Sequence, residues 1–223
     1  MRIAVESRRE NNIAEILKRL GHKVVKWKPE LVVAFGGDGT FLRAERNYPN
    51  VPKVFIYSSK TCKSCCVNDV EKILQKIPGF KFREEMKLEA EIKGKRIFAL
   101  NEINIHYNPP RALRFDVHVN GKLVAENAIG DGVVVATPFG STAYFHSITQ
   151  RKFTKGIGIA FNNLTKKMRS IVAKENSEIE VVVKREPGIV AWDDCLKTIP
   201  IKEGDVIKIR KSAPVKVCMF KKV

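Results

Sequence analysis

The sequence predicts an α/β unit with a parallel sheet over residues 1–80 and a β-rich unit over residues 81–223, and three observations carry this reading. Apolar, β-branched runs alternate with helical periodicity as far as Ile77. At Pro78-Gly79 the pattern changes, and short strand-like runs dominate from Phe82 onward. Asn120-Gly121 then stands between two such runs as the favoured two-residue hairpin turn, so Leu113 to Ala128 is expected to be antiparallel.

Each element follows from local pattern. Arg2 to Glu6 is the first expected strand, and Asn11 to Leu20 places Ile13, Ile16, Leu17 and Leu20 at helical spacing before Gly21. A short strand at Lys23 to Trp27 and a strand at Leu31 to Phe35 complete a βαβ alternation, which puts a ligand crevice at the carboxyl ends of the strands. Thr40 to Arg46 reads as a helix, Lys53 to Tyr57 as a strand, and Asn68 to Ile77 as a helix capped by Asn68. In the second unit the expected strands are Leu88 to Ile92, Arg96 to His106, Leu113 to Val119, Lys122 to Ala128 and Gly132 to Ala136. A helix around Ser141 to Ile148 precedes strands at Glu178 to Lys184, Gly188 to Trp192, Asp205 to Arg210 and Val215 to Phe220.

Composition narrows the function classes. A hydrophobic content of 44% in 223 residues supports a real core and excludes disorder. No apolar run reaches membrane-span length and the first residues enter a strand directly, so a cytoplasmic protein with no membrane partner is expected. The net charge of +17 attracts polyanions, but no nucleic-acid motif accompanies it, so multivalent phosphate substrates are the expected partners and no specific nucleic acid is. Cys62, Cys65 and Cys66 cluster without a second Cys/His pair at zinc spacing, and with Cys195 and Cys218 they are expected to be reduced thiols.

The chemistry is concentrated in three stretches. Leu31 to Phe35 breaks into Gly36-Gly37-Asp38-Gly39-Thr40, where glycines let backbone N–H groups approach a phosphate closely. Asp38 would repel phosphate unless it positions Mg²⁺ or takes a proton from an attacking hydroxyl, so the stretch suggests phosphoryl transfer, although it also suits a plain tight turn. Asn101-Glu102 lies in an apolar strand, where a carboxylate is costly without a partner or ligand; alone it suits an edge pair facing water. Gly130 to Tyr144 combines an acidic turn at Asp131, a buried strand and the small-residue loop Thr137-Pro138-Phe139-Gly140, leaving room for a flat ring near Tyr144.

With these three motifs in this order, the chain resembles the NAD kinase family over roughly residues 30 to 147. The resemblance implies an α/β N-terminal domain, a β-sandwich C-terminal domain, an active site in the crevice between them, and homodimers or homotetramers. It implies Mg²⁺-dependent transfer of a phosphoryl group from ATP or polyphosphate to the 2′-hydroxyl of the adenosine ribose of NAD. Asp38 would then be the proton acceptor or Mg²⁺-positioning group, and Gly36, Gly37, Gly39 and Thr40 the phosphate loop, with Asp38 and Gly39 also touching NAD. Asn101 and Glu102 are similar to the pair that holds ribose and adenine, and Asp131 to the acid at the nicotinamide end. Thr142, Ala143, Tyr144, Phe145, His146 and Ser147 resemble the loop around adenine, and Arg111 stands where the family often has a basic or imidazole contact.

Departures from the family pattern leave other readings open. Residues 55–66 lack the family's glycines, Ile148-Thr149-Gln150-Arg151 replaces its Gly-Gly, and Asp194-Cys195-Leu196 stands for its Asp-Gly-Gln. The chain stops at Val223, before the segment that in the family packs back on the first domain. The glycine motif alone also suits a kinase acting on a lipid or another nucleoside, and the altered Cys62 to Cys66 region suits a nucleotide-binding protein with reduced catalysis. Asn101-Glu102 and Thr142-Ala143-Tyr144 favour the dinucleotide, and Asp38 favours catalysis.

Overall fold

The apolar runs of the first unit are strands covered on both faces, which is why they lack a polar alternation. The computed structural model describes residues 1–8, 11–58, 69–109 and 111–220. Its first elements are β1 (Arg2–Glu6), α1 (Ile13–Arg19), β2 (Lys23–Val24), β3 (Leu31–Gly36), α2 (Asp38–Asn47), β4 (Lys53–Tyr57) and α3 (Val70–Gln75). The strands pair in parallel in the order β2-β1-β3-β4. On one face α1 and α3 bury Ile13, Ile16, Leu17 and Leu74 against Val33, Val54 and Ile56; on the other, Phe41 of α2 stacks on Phe55 with ring centroids 4.8 Å apart.

Local chemistry sets the element ends. Asp69 caps α3 by accepting the Lys72 N–H at 3.2 Å, while the expected cap Asn68 lies outside the described residues, as do Cys62, Cys65 and Cys66. The α2–β4 connection is anchored by Lys53, fully buried, whose Nζ donates to the carbonyls of Tyr48 at 2.8 Å and Val51 at 2.7 Å and pairs with Glu45.

The second unit contains β5 (Arg83–Ile92), β6 (Lys95–Ala99), β7 (Glu102–Tyr107), β8 (Leu113–Val119), β9 (Lys122–Gly130), β10 (Gly132–Ala136), α4 (Tyr144–Thr149), β11 (Ile157–Asn162), β12 (Ile171–Ala173), β13 (Ile179–Arg185), β14 (Gly188–Trp192) and β15 (Ile199–Ile201). One sheet runs β12-β11-β10-β7-β14-β15 and is antiparallel throughout; the other includes the antiparallel pairs β5/β6, β8/β9 and β13/β8. Ile103, Ile105, Val133 and Val135 of the first meet Leu88, Phe115, Val117 and Val181 of the second in a single core. The outer side of β10 is covered by α4, whose Phe145 packs on Val134, Ala136 and Ala160. Asn120 and Gly121 both have positive φ, +51° and +76°, as a type I′ turn between β8 and β9 requires.

Three expectations change. The single strand at Arg96 to His106 is two, broken at Leu100-Asn101. The two C-terminal strands are one, β16 (Val206–Phe220). Its early residues pair with β13 and Val217–Phe220 pair in parallel with β4, so Pro214–Val223 belongs with Met1–Glu85 in one compact unit and Met86–Ala213 forms the other. A returning C-terminal segment is thus present, because Val215 and Val217 offer buried positions and Pro214 is compatible with extended backbone. No helix among the described residues is long and apolar enough to cross a membrane.

Candidate active site

The glycine motif sits at the carboxyl end of β3, the central strand of the parallel sheet, but most of it is helical. Gly37 is the N-cap of α2, so Asp38, Gly39 and Thr40 form the first turn and not an open loop. The physical reason is that a glycine cap leaves the first-turn N–H groups without a side-chain acceptor yet lets the helix begin at once. Gly36 serves packing: a Cβ there would lie 2.3 Å from Thr40 Oγ1, and Thr40 is buried. Asp38 is exposed at the positive end of the α2 dipole, and the backbone N–H groups of the first turn and the dipole together suit a phosphate. Arg43 Nε and Asn47 Nδ2 of α2 donate to Glu6 at the end of β1, at 2.7 and 2.9 Å, which fixes the helix over the carboxyl end of that strand.

Asn101 lies at the break before β7, and Glu102 is the first residue of that strand. The carboxylate of Asp193 accepts the N–H groups of Leu100 at 3.0 Å and Asn101 at 2.8 Å, with Glu102 N at 3.4 Å, which takes these donors out of the strand ladder. Thr137 closes the other side: its Oγ1 donates to Leu100 O at 2.6 Å and its N–H to Asn101 O at 2.9 Å. Gly140 is required next to this clasp, since a Cβ there would lie 2.1 Å from Asn101 O.

What emerges is a pair of unsatisfied polar atoms. Asn101 and Glu102 are each 8% exposed, and Asn101 Oδ1 and Glu102 Oε2 are buried with no hydrogen-bond partner among the described residues. Burial, assisted by the charge of Asp193, pushes the Glu102 carboxyl up to about 8, so it is protonated at neutral pH. Tyr144 lies in the same neighbourhood: its hydroxyl accepts from Asn162 Nδ2 at 3.0 Å, and burial, then Asp131, Tyr107 and, after the Asn162 bond that lowers it, Glu102 raise its pKa. Asp131 accepts from Asn163 Nδ2 at 3.2 Å.

Other expected contacts divide differently. Phe145 is 1% exposed in the core beneath α4, because helical spacing turns it onto β10, so its side chain is not offered to a ligand. Ser147 Oγ donates to Ala143 O at 3.4 Å, His146 Nδ1 lies 3.3 Å from Arg151 O, and Thr142 and Arg111 are exposed. Ala143 is half-buried at the N-cap of α4. The residues missed by sequence reading are Asp193 and Thr137; a doubled acid directly after the apolar run Gly188 to Trp192 was the available signal. Where the family pattern has Gly-Gly, Gln150 adopts the left-handed conformation at φ +55° and ends α4.

A family model described as the ATP-NAD kinase C-terminal domain matches residues 100–218. A bifunctional NADP phosphatase/NAD kinase of Methanocaldococcus jannaschii is 39% identical over 125 residues, 51% of this chain and 22% of that protein, so the chain spans about a fifth of that relative. An NAD kinase of Methanosarcina mazei is 30% identical over 213 residues, 89% of this chain and 73% of that protein. The crystal structure of an NAD kinase from Archaeoglobus fulgidus in complex with ATP superposes with a TM-score of 0.81 at 23% identity, covering 97% of this chain and 93% of that one. With the family model covering more than half of the chain and the three motifs in their order, this protein belongs to the NAD kinase family.

Proposed function

We propose that this protein phosphorylates the 2′-hydroxyl of the adenosine ribose of NAD, giving NADP, with ATP or polyphosphate as donor. The observation that carries the reading is the buried pair Asn101 Oδ1 and Glu102 Oε2, whose hydrogen-bonding capacity is unmet within the described residues. Such a pair is costly to keep unless a ligand completes it. A protonated Glu102 donates one hydrogen bond and accepts another, and the Asn101 amide does both, which matches a ribose diol and an adenine edge. Asp131 and Tyr144 extend the same polar neighbourhood toward the remainder of the dinucleotide.

The first turn of α2 supplies the phosphate end. Its N–H groups and dipole hold donor phosphate oxygens, and Asp38 accepts the proton as the 2′-oxygen bonds to the transferred phosphorus and the bond to the leaving phosphate breaks. Among the described residues no group of three or more His, Cys, Asp or Glu could hold a metal ion; Asp38 would be the residue to position a Mg²⁺ brought in by the donor phosphates. Bound Mg²⁺ neutralises charge on the donor phosphates. The +17 net charge favours these multivalent anions as partners. Association into homodimers or homotetramers is part of the proposal and is read by light scattering.

The test is direct: incubate the protein with NAD, Mg²⁺ and either ATP or polyphosphate and measure NADP. Formation of NADP with at least one donor is expected. Its absence with both, from protein that still binds NAD, would leave only a binding protein.

A further inference from the structure

Asp193 occupies a position that neither the phosphate turn nor the polar pair accounts for. It follows the last residue of β14, where Trp192 still faces Ile103 across the β14/β7 pair, and its φ of +48° turns the chain so that the carboxylate covers the start of β7. Oδ1 accepts from Leu100 N at 3.1 Å, Asn101 N at 2.8 Å and Glu102 N at 3.4 Å; Oδ2 accepts from Leu100 N at 3.0 Å. The exchange is mutual, because Asp193 N donates to Glu102 O at 3.1 Å. With Thr137 on the Leu100 and Asn101 carbonyls, all four backbone polar groups of Leu100 and Asn101 are satisfied by two residues from distant segments.

We infer that Asp193 is a positioning residue for dinucleotide binding: its carboxylate holds the Leu100-Asn101-Glu102 backbone so that Asn101 and Glu102 meet NAD already oriented. This rests on the reading of Asn101 and Glu102 as NAD contacts. Three successive N–H groups converging on one anion form a nest, and the charge of the acceptor makes each bond stronger than its neutral counterpart. Holding the two side chains' backbone rigid removes an ordering cost that binding would otherwise bear. Aspartate meets both demands of the position, since it tolerates left-handed backbone better than most residues and carries two acceptor oxygens. Burial pushes its carboxyl up to about 6 against the downward pull of the three N–H bonds, with Asp194 adding a smaller upward push, so the carboxylate is ionised at neutral pH.

Two substitutions separate the carboxylate from the backbone. Asp193→Gly keeps a residue at ease with φ +48° and removes the acceptors; Asp193→Asn keeps one acceptor oxygen and carries the test if the glycine variant fails to fold. Measured at neutral pH with NAD and ATP varied in turn, Asp193→Gly is expected to raise the KM for NAD about tenfold to a hundredfold, the scale of a lost charge-assisted hydrogen bond. The KM for ATP and kcat should stay within a few-fold, and Asp193→Asn should fall between. A KM for NAD unchanged in these variants overturns the inference, and so does an equal loss across both substrates and kcat, the mark of a merely structural role. Glu102→Ala measured alongside distinguishes the two readings. If it leaves the KM for NAD unchanged, the dinucleotide assignment fails and this inference with it; if it raises that KM while the Asp193 variants do not, only the positioning role is lost.

Discussion

Gly36–Thr40 and Leu100–Glu102 are opposite solutions to holding a polar ligand. The first is contiguous in sequence and made of backbone, a strand end and a helix start, with its one carboxylate exposed. The second is assembled from three distant segments, 100–102, 137–140 and 193, joined by side-chain-to-backbone bonds around atoms that are buried and unsatisfied. The difference follows from the ligands these regions are proposed to take. A phosphate brings its own charge, and amide groups with a helix dipole meet it without leaving water. A ribose diol is neutral, and hydrogen bonds select it over solvent only where water is excluded and the protein atoms are fixed beforehand.

The sharpest way to break this comparison is at Asp38. Asp38→Asn preserves the helix start and removes the charge, so turnover should fall roughly 10²–10⁴-fold, as for a lost general base, with NAD affinity and thermal stability little changed. Near-native NADP formation in that variant would reduce Asp38 to a first-turn helix residue.

Glu102 tests the other side. Glu102→Ala should weaken NAD binding by about 1–3 kcal/mol in calorimetry, the scale of the two neutral hydrogen bonds assigned to the protonated acid. Glu102→Gln, in contrast, mimics the neutral acid and should bind NAD within a few-fold of native at neutral pH. Its stability is the clearer reading. The folded chain raises Glu102 from 4.5 to about 8 and Asp193 from 3.8 to about 6, so it keeps protons that the unfolded chain releases. The stability they contribute is therefore complete at acid pH and lost as pH rises through about 6 and then about 8. Glu102→Gln escapes its share of that loss, and its melting temperature should exceed the native one by a margin that widens from pH 5 to pH 8. A margin that does not change with pH would mean that Glu102 is not protonated in the fold.

Smaller effects sharpen the picture. Gly140→Ala would drive a Cβ to 2.1 Å from Asn101 O and must push the 137–140 loop off the Asn101 backbone, for a loss of about 1–3 kcal/mol in stability with a parallel loss of NAD affinity. Gln150→Gly relieves left-handed strain at the end of α4 and should add up to about 1 kcal/mol in denaturant titration without altering activity.

The same contrast explains what could be read from the chain in advance. The parallel sheet, the β8–β9 hairpin and the Gly36–Thr40 turn are encoded by neighbours in sequence, and Asn120-Gly121 adopts the two positive φ values its residue types favour. Strand-breaking at Leu100-Asn101 is invisible locally, because the carboxylate responsible comes from residue 193. Phe145 sat inside a stretch resembling ligand contacts, yet α4 turns it into the core. The gap expected between Asp205–Arg210 and Val215–Phe220 holds Pro214, yet β16 runs straight through, since the Pro ring fits extended backbone and its missing N–H costs little at a change of partner strands.

That long strand has a bearing on biogenesis. β4 offers one edge to β3 and the other to Val217–Phe220, which a ribosome makes only after the whole second unit. Until then the nascent first unit carries an open, apolar strand edge of the kind that seeds intermolecular pairing, and its sheet is completed by a contact of very high sequence separation. Removing residues 214–223 should leave that edge open permanently.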